Sequence, residues 1–152
     1  MIRKYMTYPV LALMILLSGI VYADGAANMP LDYFIKMKMA ETIAAVEILK
    51  NETSRTTTKD ANGEVDSIRI ESDIKIKVLA EIHGKLKKEE LDVKYSEVIV
   101  KGVFAVYPGS GKEDQYKKGD KCIAFFDESG ELIRLEDIKN KEEIVKLLEA
   151  GN

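Results

Sequence analysis

The residues that most resemble a chemical motif lie in a glycine-rich, charged stretch at residues 108–121. Its segment Gly109-Ser110-Gly111-Lys112 matches the end of a phosphate-binding P-loop, in which backbone N–H groups and a lysine hold phosphate oxygens. Val106 stands where the motif has its first glycine, and Glu113 follows the lysine where a magnesium-binding Ser or Thr is required. Because the backbone cradle and the metal ligand are both missing, the pattern argues against nucleotide binding.

The chain contains few residues that could form a metal site or carry out nucleophilic catalysis. Asp60-Ala61-Asn62-Gly63 matches part of a calcium loop, but the alignment places Thr58 and Arg69 where carboxylates are required. Asn62-Gly63 is instead typical of a tight hairpin turn, because both residue types tolerate positive φ. His83 is the only histidine, which rules out a multi-histidine metal site and leaves Ser-His or Cys-His catalysis only with this residue as the base. We therefore predict no catalytic residue, no metal ligand and no cofactor.

Cys122 and Asn51 are two further residues with potential chemistry. Cys122 is the only cysteine, so the chain cannot form an internal disulfide. It lies in the apolar run 122–126, and we interpret it as a small buried side chain; a reactive thiol or an intermolecular disulfide is the alternative. Asn51-Glu52-Thr53 is a glycosylation sequon, which has a meaning only in a eukaryotic secretory pathway.

The chain begins with the features of an export signal. Two basic residues precede the apolar residues 10–21, and Val21-Tyr22-Ala23 places small residues at a cleavage site. We predict that residues 1–23 are a signal peptide, cleaved between Ala23 and Asp24. The apolar run is shorter than the roughly 20 residues of a membrane-spanning helix. We therefore expect a soluble periplasmic or extracellular protein with no membrane span after cleavage, with an uncleaved anchor as the alternative.

The net negative charge of the chain limits the kinds of partner that it can bind. The formal net charge is −3, and it becomes −5 without residues 1–23, which contain Arg3 and Lys4 and no acidic residue. An acidic protein repels polyanions, and export separates it from most nucleic acid. We expect a protein or another extracytoplasmic ligand as the partner, and no nucleic acid.

Period-two alternation is the clearest structural pattern. Over residues 67–82, apolar residues such as Ile70, Ile74 and Ile76 alternate with charged ones, which predicts an extended strand with one buried face. At 3.3 Å per residue this strand would span roughly 50 Å if straight. It therefore has to curl or bulge, as strands do in a small closed or partly closed barrel.

The remaining segments complete a mainly β domain at residues 31–152. Residues 24–30 are predicted to be a flexible lead-in, and Leu31 to Ala40 a short N-terminal helix. Further strands are predicted at 42–49, 91–95, 98–107 (one bent strand or two short ones), 122–126 and 131–135. Asn140 as N-cap and an apolar stripe ending near Leu148 predict a C-terminal helix. We expect a single OB-like barrel of about five to six antiparallel strands carrying that helix.

Most of the predicted domain resembles a known family. The resemblance rests on the segments AETIAAVEILKNE, IKIKVLAEIHGKL and YKKGDKCIAFF and on the C-terminal helix, within residues 39–148. These are similar to the tissue-inhibitor-of-metalloproteinase-like (netrin-like) branch of OB barrels, in the form found among exported proteins of unassigned function. In the inhibitors that name the family, an N-terminal cysteine binds the zinc of the protease. Asp24 would stand there in this chain, so the resemblance implies a fold and not that activity.

A function follows by elimination. We predict an exported, noncatalytic binding module, because barrels usually carry function on their loops. The loop at 108–121 supplies the candidate interaction residues Lys112, Tyr116, Lys117 and Lys118. Two alternatives stay open: a component of an envelope or surface assembly, and an enzyme that uses carboxylate, lysine or tyrosine chemistry.

Overall fold

A computed structural model of the protein describes residues 26–152. The predicted signal peptide and its cleavage site between Ala23 and Asp24 lie outside the described residues. Two short 3-10 turns, at Glu113–Gln115 and Ile138–Asn140, accompany the regular elements. In chain order those elements are β1 Ala26–Asn28, α1 Leu31–Lys36, β2 Thr42–Lys59, β3 Val65–His83, β4 Glu90–Val100, β5 Ala105–Tyr107, β6 Lys121–Phe126, β7 Leu132–Asp137 and α2 Lys141–Ala150.

The described chain is mainly β, as predicted. Five antiparallel strands form one sheet in the order β4-β3-β2-β6-β7, and the two short strands β1 and β5 pair in parallel beside it. The predicted hairpin turn is confirmed: β2 pairs with β3 along almost its whole length, and Gly63 has a φ of 79° in the turn between them. The C-terminal helix is also confirmed, as α2.

The centre of the sheet is buried on both faces. On the concave face, Val46 of β2 and Cys122 of β6 pack with residues of the other three strands. On the convex face, Ile43 and Phe125 pack against α1 and α2, with the Phe34 and Phe125 rings edge to face at 5.2 Å. This explains why β2 and β6 begin as nearly continuous apolar runs, since a strand covered on both faces needs no polar alternation.

β3 is the long strand that the alternation predicts. Its apolar residues Ile74 and Ile76 are buried in the concave core, and its pairing with β2 is interrupted by register shifts at several points. Such bulges bend and twist a strand, so they provide the predicted curvature. Beyond residue 51 the β2–β3 hairpin leaves the core as an exposed arm, made of residues 52–59 and 65–71.

The five strands do not close into the predicted barrel. The edge strands β4 and β7 contribute Tyr95 and Leu135 to the same core, yet no backbone pairing joins them. The segment before β6 lies in this gap and bonds to both edges. Ser110 Oγ donates to the Leu135 carbonyl of β7, and the Tyr107 hydroxyl donates to the Val98 carbonyl of β4. Because side chains already satisfy these edge groups, the strands do not pair with each other.

The N-terminal part of the domain is more ordered than its composition indicates. Part of the predicted flexible lead-in forms β1, and Asn28 is buried there. Arg134 of β7 fixes the chain just after β1. Its guanidinium donates to the Met29 and Pro108 carbonyls at 2.6 and 2.8 Å and pairs with buried Glu136. The helix predicted from Leu31 to Ala40 is reduced to the six residues of α1.

The residues at the ends of the two helices differ from the usual capping pattern. Asn140 precedes α2 as predicted, but its side chain does not cap the helix and instead donates to Glu136 Oε2 at 3.1 Å. Lys38, just after α1, has a φ of 52°. Within residues 26–152, no helix combines the length and the apolar character needed to cross a membrane.

Candidate functional site

The segment at residues 108–116 is held against the sheet by buried polar side chains. Asn28 Nδ2 donates to the Gly109 carbonyl at 2.9 Å. Asn51 of β2 donates from its single amide nitrogen to the carbonyls of Glu113 and Tyr116, at 3.0 and 2.9 Å. The segment therefore has a fixed position beside the arm, although its glycines and charges are typical of a free loop.

Glu113 is the central side chain of this segment and is only 1% exposed. Its Oε1 accepts from the backbone N–H of Ser110 at 2.5 Å, from Ser110 Oγ at 3.1 Å and from the backbone N–H of Leu135 at 3.3 Å. Burial raises the pKa of the Glu113 carboxyl, and the hydrogen bonds from Ser110 and Leu135 partly oppose that rise. This carboxyl therefore ties the segment to β7.

An acidic cleft opens where the same segment faces the concave side of the arm. The cleft has a volume of about 170 Å³. Its floor comes from one cross-strand row, Arg55, Ile70 and Glu97, together with Tyr95 and Ile99. Its other wall is Gly111, Glu113, Asp114 and Gln115. Residues directly opposite each other on neighbouring strands share a face, so pairing in the sheet is what brings the floor residues together.

Glu97 is the most unusual residue of the cleft. It is 6% exposed, and its Oε2 accepts from the Tyr95 hydroxyl at 3.2 Å. Its Oε1 is buried and has no hydrogen-bond partner in the described part of the chain. Burial raises the pKa of the Glu97 carboxyl, the Tyr95 hydrogen bond opposes this, and the charges of Glu113 and Asp114 raise the pKa further.

Arg55 does not neutralise Glu97 directly. Ile70 lies between them in the cross-strand row, so the two backbones are about 10 Å apart at the usual strand spacing. The cleft thus combines two buried carboxyls with the exposed Asp114 and one peripheral cation. A buried carboxyl without a partner is costly unless it carries a proton or accepts from an incoming donor.

The sequence-predicted interaction residues do not line this cleft. Lys112, Lys117 and Lys118 are exposed on the loop, and Tyr116 is half-buried against the concave core. Burial raises the pKa of the Tyr116 hydroxyl, and nearby acidic groups add to the rise. Its ring thus helps to anchor the loop, and a role of Tyr116 in ligand contact stays a prediction.

Sequence reasoning missed Glu97, although a signal for it exists. Leu91, Val93, Tyr95 and Ile99 follow a period of two along β4, and Glu97 occupies the remaining position on that face. A charged residue on the buried face of a strand marks either an ion pair or a functional group. The predicted third strand ends at residue 95, so Glu97 falls outside it. In the structure the strand continues as β4 to Val100 and includes Glu97.

Other chemistry is limited in residues 26–152. No group of three or more His, Cys, Asp or Glu side chains in this range is arranged to hold a metal ion. Cys122 is fully buried in the concave core, and burial, together with Asp120 and Asp137, raises the pKa of its thiol to about 12. At neutral pH this thiol is protonated and shielded, which opposes the alternative of a reactive cysteine.

Comparisons with known proteins leave the site to be interpreted from its geometry alone. Neither the known protein families nor the curated proteins nor the solved structures include a match to this chain.

Proposed function

We propose that this protein is an exported, noncatalytic binding module, and that the acidic cleft receives a cationic group of a protein or another extracytoplasmic ligand. The fold would be an open relative of the netrin-like OB barrels, with the 108–116 segment standing between β4 and β7. The proposed binding function is inferred from the cleft, and the proposed export of the protein is inferred from its amino-terminal sequence pattern.

One observation carries the proposal. Glu97 Oε1 is buried beside the cleft without a partner in the described chain. Native proteins seldom leave a buried carboxylate oxygen unpaired, because desolvation is then uncompensated. An ammonium or guanidinium group entering between Glu97 and Asp114 would supply the missing donor and balance the local negative charge.

The size of the cleft fits one such group and not a large ligand. Its volume of about 170 Å³ lies below the 300–1,000 Å³ that is typical of small-molecule pockets. A single lysine or arginine side chain presented by a partner protein matches this volume better than a whole cofactor does. The net negative charge of the chain would increase the rate at which a basic partner arrives.

The proposal is tested with small probes of the cationic group. We would titrate the purified protein with Nα-acetyl-lysine amide, Nα-acetyl-arginine amide and the uncharged norleucine analogue, and follow backbone amide shifts by NMR. We expect saturable shifts near Glu97 and Gln115 with the cationic probes only. Glu97→Gln should weaken that binding by about tenfold or more, since charged hydrogen bonds contribute about 1.5–3 kcal/mol.

A matched control is available on the same arm. Glu71 of β3 is exposed, pairs with Arg69 and lies on the opposite face of the sheet. Glu71→Gln removes the same charge outside the cleft and should leave the titration unchanged. Equal shifts from the norleucine analogue, or equal losses in the two variants, would contradict a cation-binding cleft.

An acid–base enzyme is the second candidate, and a specific observation favours it. Glu97 and Glu113 are two buried carboxyls of raised pKa in one cleft, with the Tyr95 hydroxyl bonded to one of them. Raised carboxyl pKa values are what general acids need near neutral pH. However, Oε1 of Glu113 is already bonded to three donors of the fold, which leaves Glu97 as the available acid. Turnover that is lost in Glu97→Gln and retained in Glu71→Gln would favour this candidate.

A further inference from the structure

A second cavity lies on the opposite, convex side of the sheet, between α1, α2 and the start of β2. Its volume is about 320 Å³, and its apolar lining comes from both helices and the strand. The principal apolar residues are Phe34, Ile35, Met39, Ile43, Leu147 and Leu148. This cavity is larger than the acidic cleft and falls at the lower end of the range for ligand pockets.

Cationic and apolar side chains lie together at its opening. Lys36, Lys38 and Met39 line the cavity, and Met39 is 37% exposed. Methionine side chains are flexible and polarisable, so they adapt to apolar partners of irregular shape. His83 adds a further nitrogen-bearing side chain to the lining.

Lys38 is present at a position where its backbone is unfavourable. With a φ of 52°, it lies in the left-handed region immediately after α1, and its N–H donates to the Ile35 carbonyl at 3.0 Å. Glycine is the usual residue in this role, because a side chain makes the conformation costly. A non-glycine residue in this conformation is uncommon, and strained residues are often found at functional sites.

Lys38 is the cationic group at this cavity that has no counter-charge. Lys36 is 4.0 Å from Asp32, whereas Lys38 forms no ion pair with any described residue. Glu41 also lines the cavity, so the two lysines are balanced in number by Asp32 and Glu41. An anionic headgroup would therefore act by pairing directly with the Lys38 ammonium beside the apolar interior.

We propose that this cavity binds a single-chain anionic amphiphile, a free fatty-acid-like carboxylate. Its hydrocarbon chain would lie between Ile43, Leu147 and Leu148, and its carboxylate would pair with the Lys38 ammonium. The volume accommodates a medium-length chain. The proposal is independent of the acidic cleft, since the two cavities lie on opposite faces of the sheet and share no residue.

The test uses three probes of equal chain length: octanoate, 1-octanol and octylammonium. Each is titrated into the full-length protein below its micelle-forming concentration, and the methyl signals of Met39, Leu147 and Leu148 are followed by NMR. We expect octanoate to bind saturably and more tightly than the other two. Lys38→Gly and Lys38→Asn should weaken octanoate binding by about two- to fivefold and leave 1-octanol binding unchanged. Lys38→Arg should retain it.

The glycine variant also separates a loss of binding from a loss of folding. Glycine relieves the left-handed strain, so Lys38→Gly should melt at a temperature equal to or above that of the wild type while binding octanoate less well. Lys112→Gly is the control for an exposed lysine far from the cavity, and should not change octanoate binding. Absence of saturable octanoate binding, or equal binding of octanoate and 1-octanol, would overturn the proposal. So would capture by anionic phosphatidylglycerol vesicles without binding of octanoate, because the surface would then be a membrane contact.

Discussion

Glu113 accepts hydrogen bonds from two backbone N–H groups and one hydroxyl while it is almost completely buried. One of those N–H groups belongs to Leu135 of β7, an edge strand that pairs with no other strand on that side within residues 26–152. This carboxyl accepts a hydrogen bond from the Leu135 backbone N–H, as the carbonyl of a neighbouring strand would. Its contribution comes from its acceptor oxygen, because its charge is disfavoured by burial.

We therefore expect two substitutions of Glu113 to behave differently. Glu113→Ala leaves the buried N–H groups of Ser110 and Leu135 without an acceptor and should lower the free energy of unfolding by at least about 1–3 kcal/mol. Glu113→Gln keeps an acceptor oxygen and removes the charge, so it should be close to neutral. Urea unfolding of both variants at pH 7 provides the measurement. Similar losses in the two variants would show that the charge, and not the acceptor, stabilises the segment.

Asn51 acts at the scale of an element. It lies on β2, and its amide nitrogen holds two carbonyls of the 108–116 segment, so one side chain fixes the turn at Glu113–Gln115 against the sheet. The same nitrogen is the atom that a sugar would occupy if the sequon at Asn51-Glu52-Thr53 were glycosylated. In the folded protein both hydrogens of this nitrogen are already donated, so a sugar would remove at least one of the two hydrogen bonds.

Loss of this anchor should loosen the segment without unfolding the sheet. Asn51→Ala removes two partly buried hydrogen bonds and should destabilise the protein by about 1–2 kcal/mol. Hydrogen exchange should accelerate first at residues 109–116, while the amides of β2 and β6 stay protected. Glu52→Ala, which removes an exposed neighbour paired with Lys50, is the matched control and should change neither quantity. Uniform acceleration across the sheet would contradict a local anchor.

The two buried carboxyls act together at the scale of the whole molecule. Both Glu97 and Glu113 have a pKa above the ordinary carboxyl value in the folded protein. The folded state then holds more protons than the unfolded state between the ordinary and the raised pKa. Their contribution to stability is therefore fully present below the ordinary pKa and is lost as the pH rises through the raised values.

Stability should accordingly show a pH dependence that Glu97→Gln reduces. From pH 4.5 upward, the wild type should lose unfolding free energy relative to this variant by at most about 1.4 kcal/mol per pH unit, because the two proteins differ by one carboxyl. Urea unfolding at intervals from pH 4.5 to 7.5 measures the difference. Glu71→Gln, which removes an exposed carboxyl, serves as the reference. A constant difference between wild type and Glu97→Gln over this range would contradict the raised pKa.

Several elements follow from sequence patterns that are local in the chain. Alternation in residues 67–82 specified β3 and its buried face, because side chains in a strand point to opposite sides in turn. Asn62-Gly63 specified the hairpin, and the apolar stripe around Ile144 specified α2. The buried state of Cys122 also followed from its apolar neighbours. Each of these features depends on residues close together in the chain.

Other features depend on contacts between residues that are distant in the chain, so they are established only when the chain folds. The sheet stays open because Ser110 and Glu113 bond to β7, 22 residues or more along the chain. Tyr116 is half-buried by contacts with the core, and the pairing of β4 with β3 places Glu97 in the cleft. A short stretch of sequence does not specify such contacts, because burial and hydrogen bonding at each position depend on which segments fold against it.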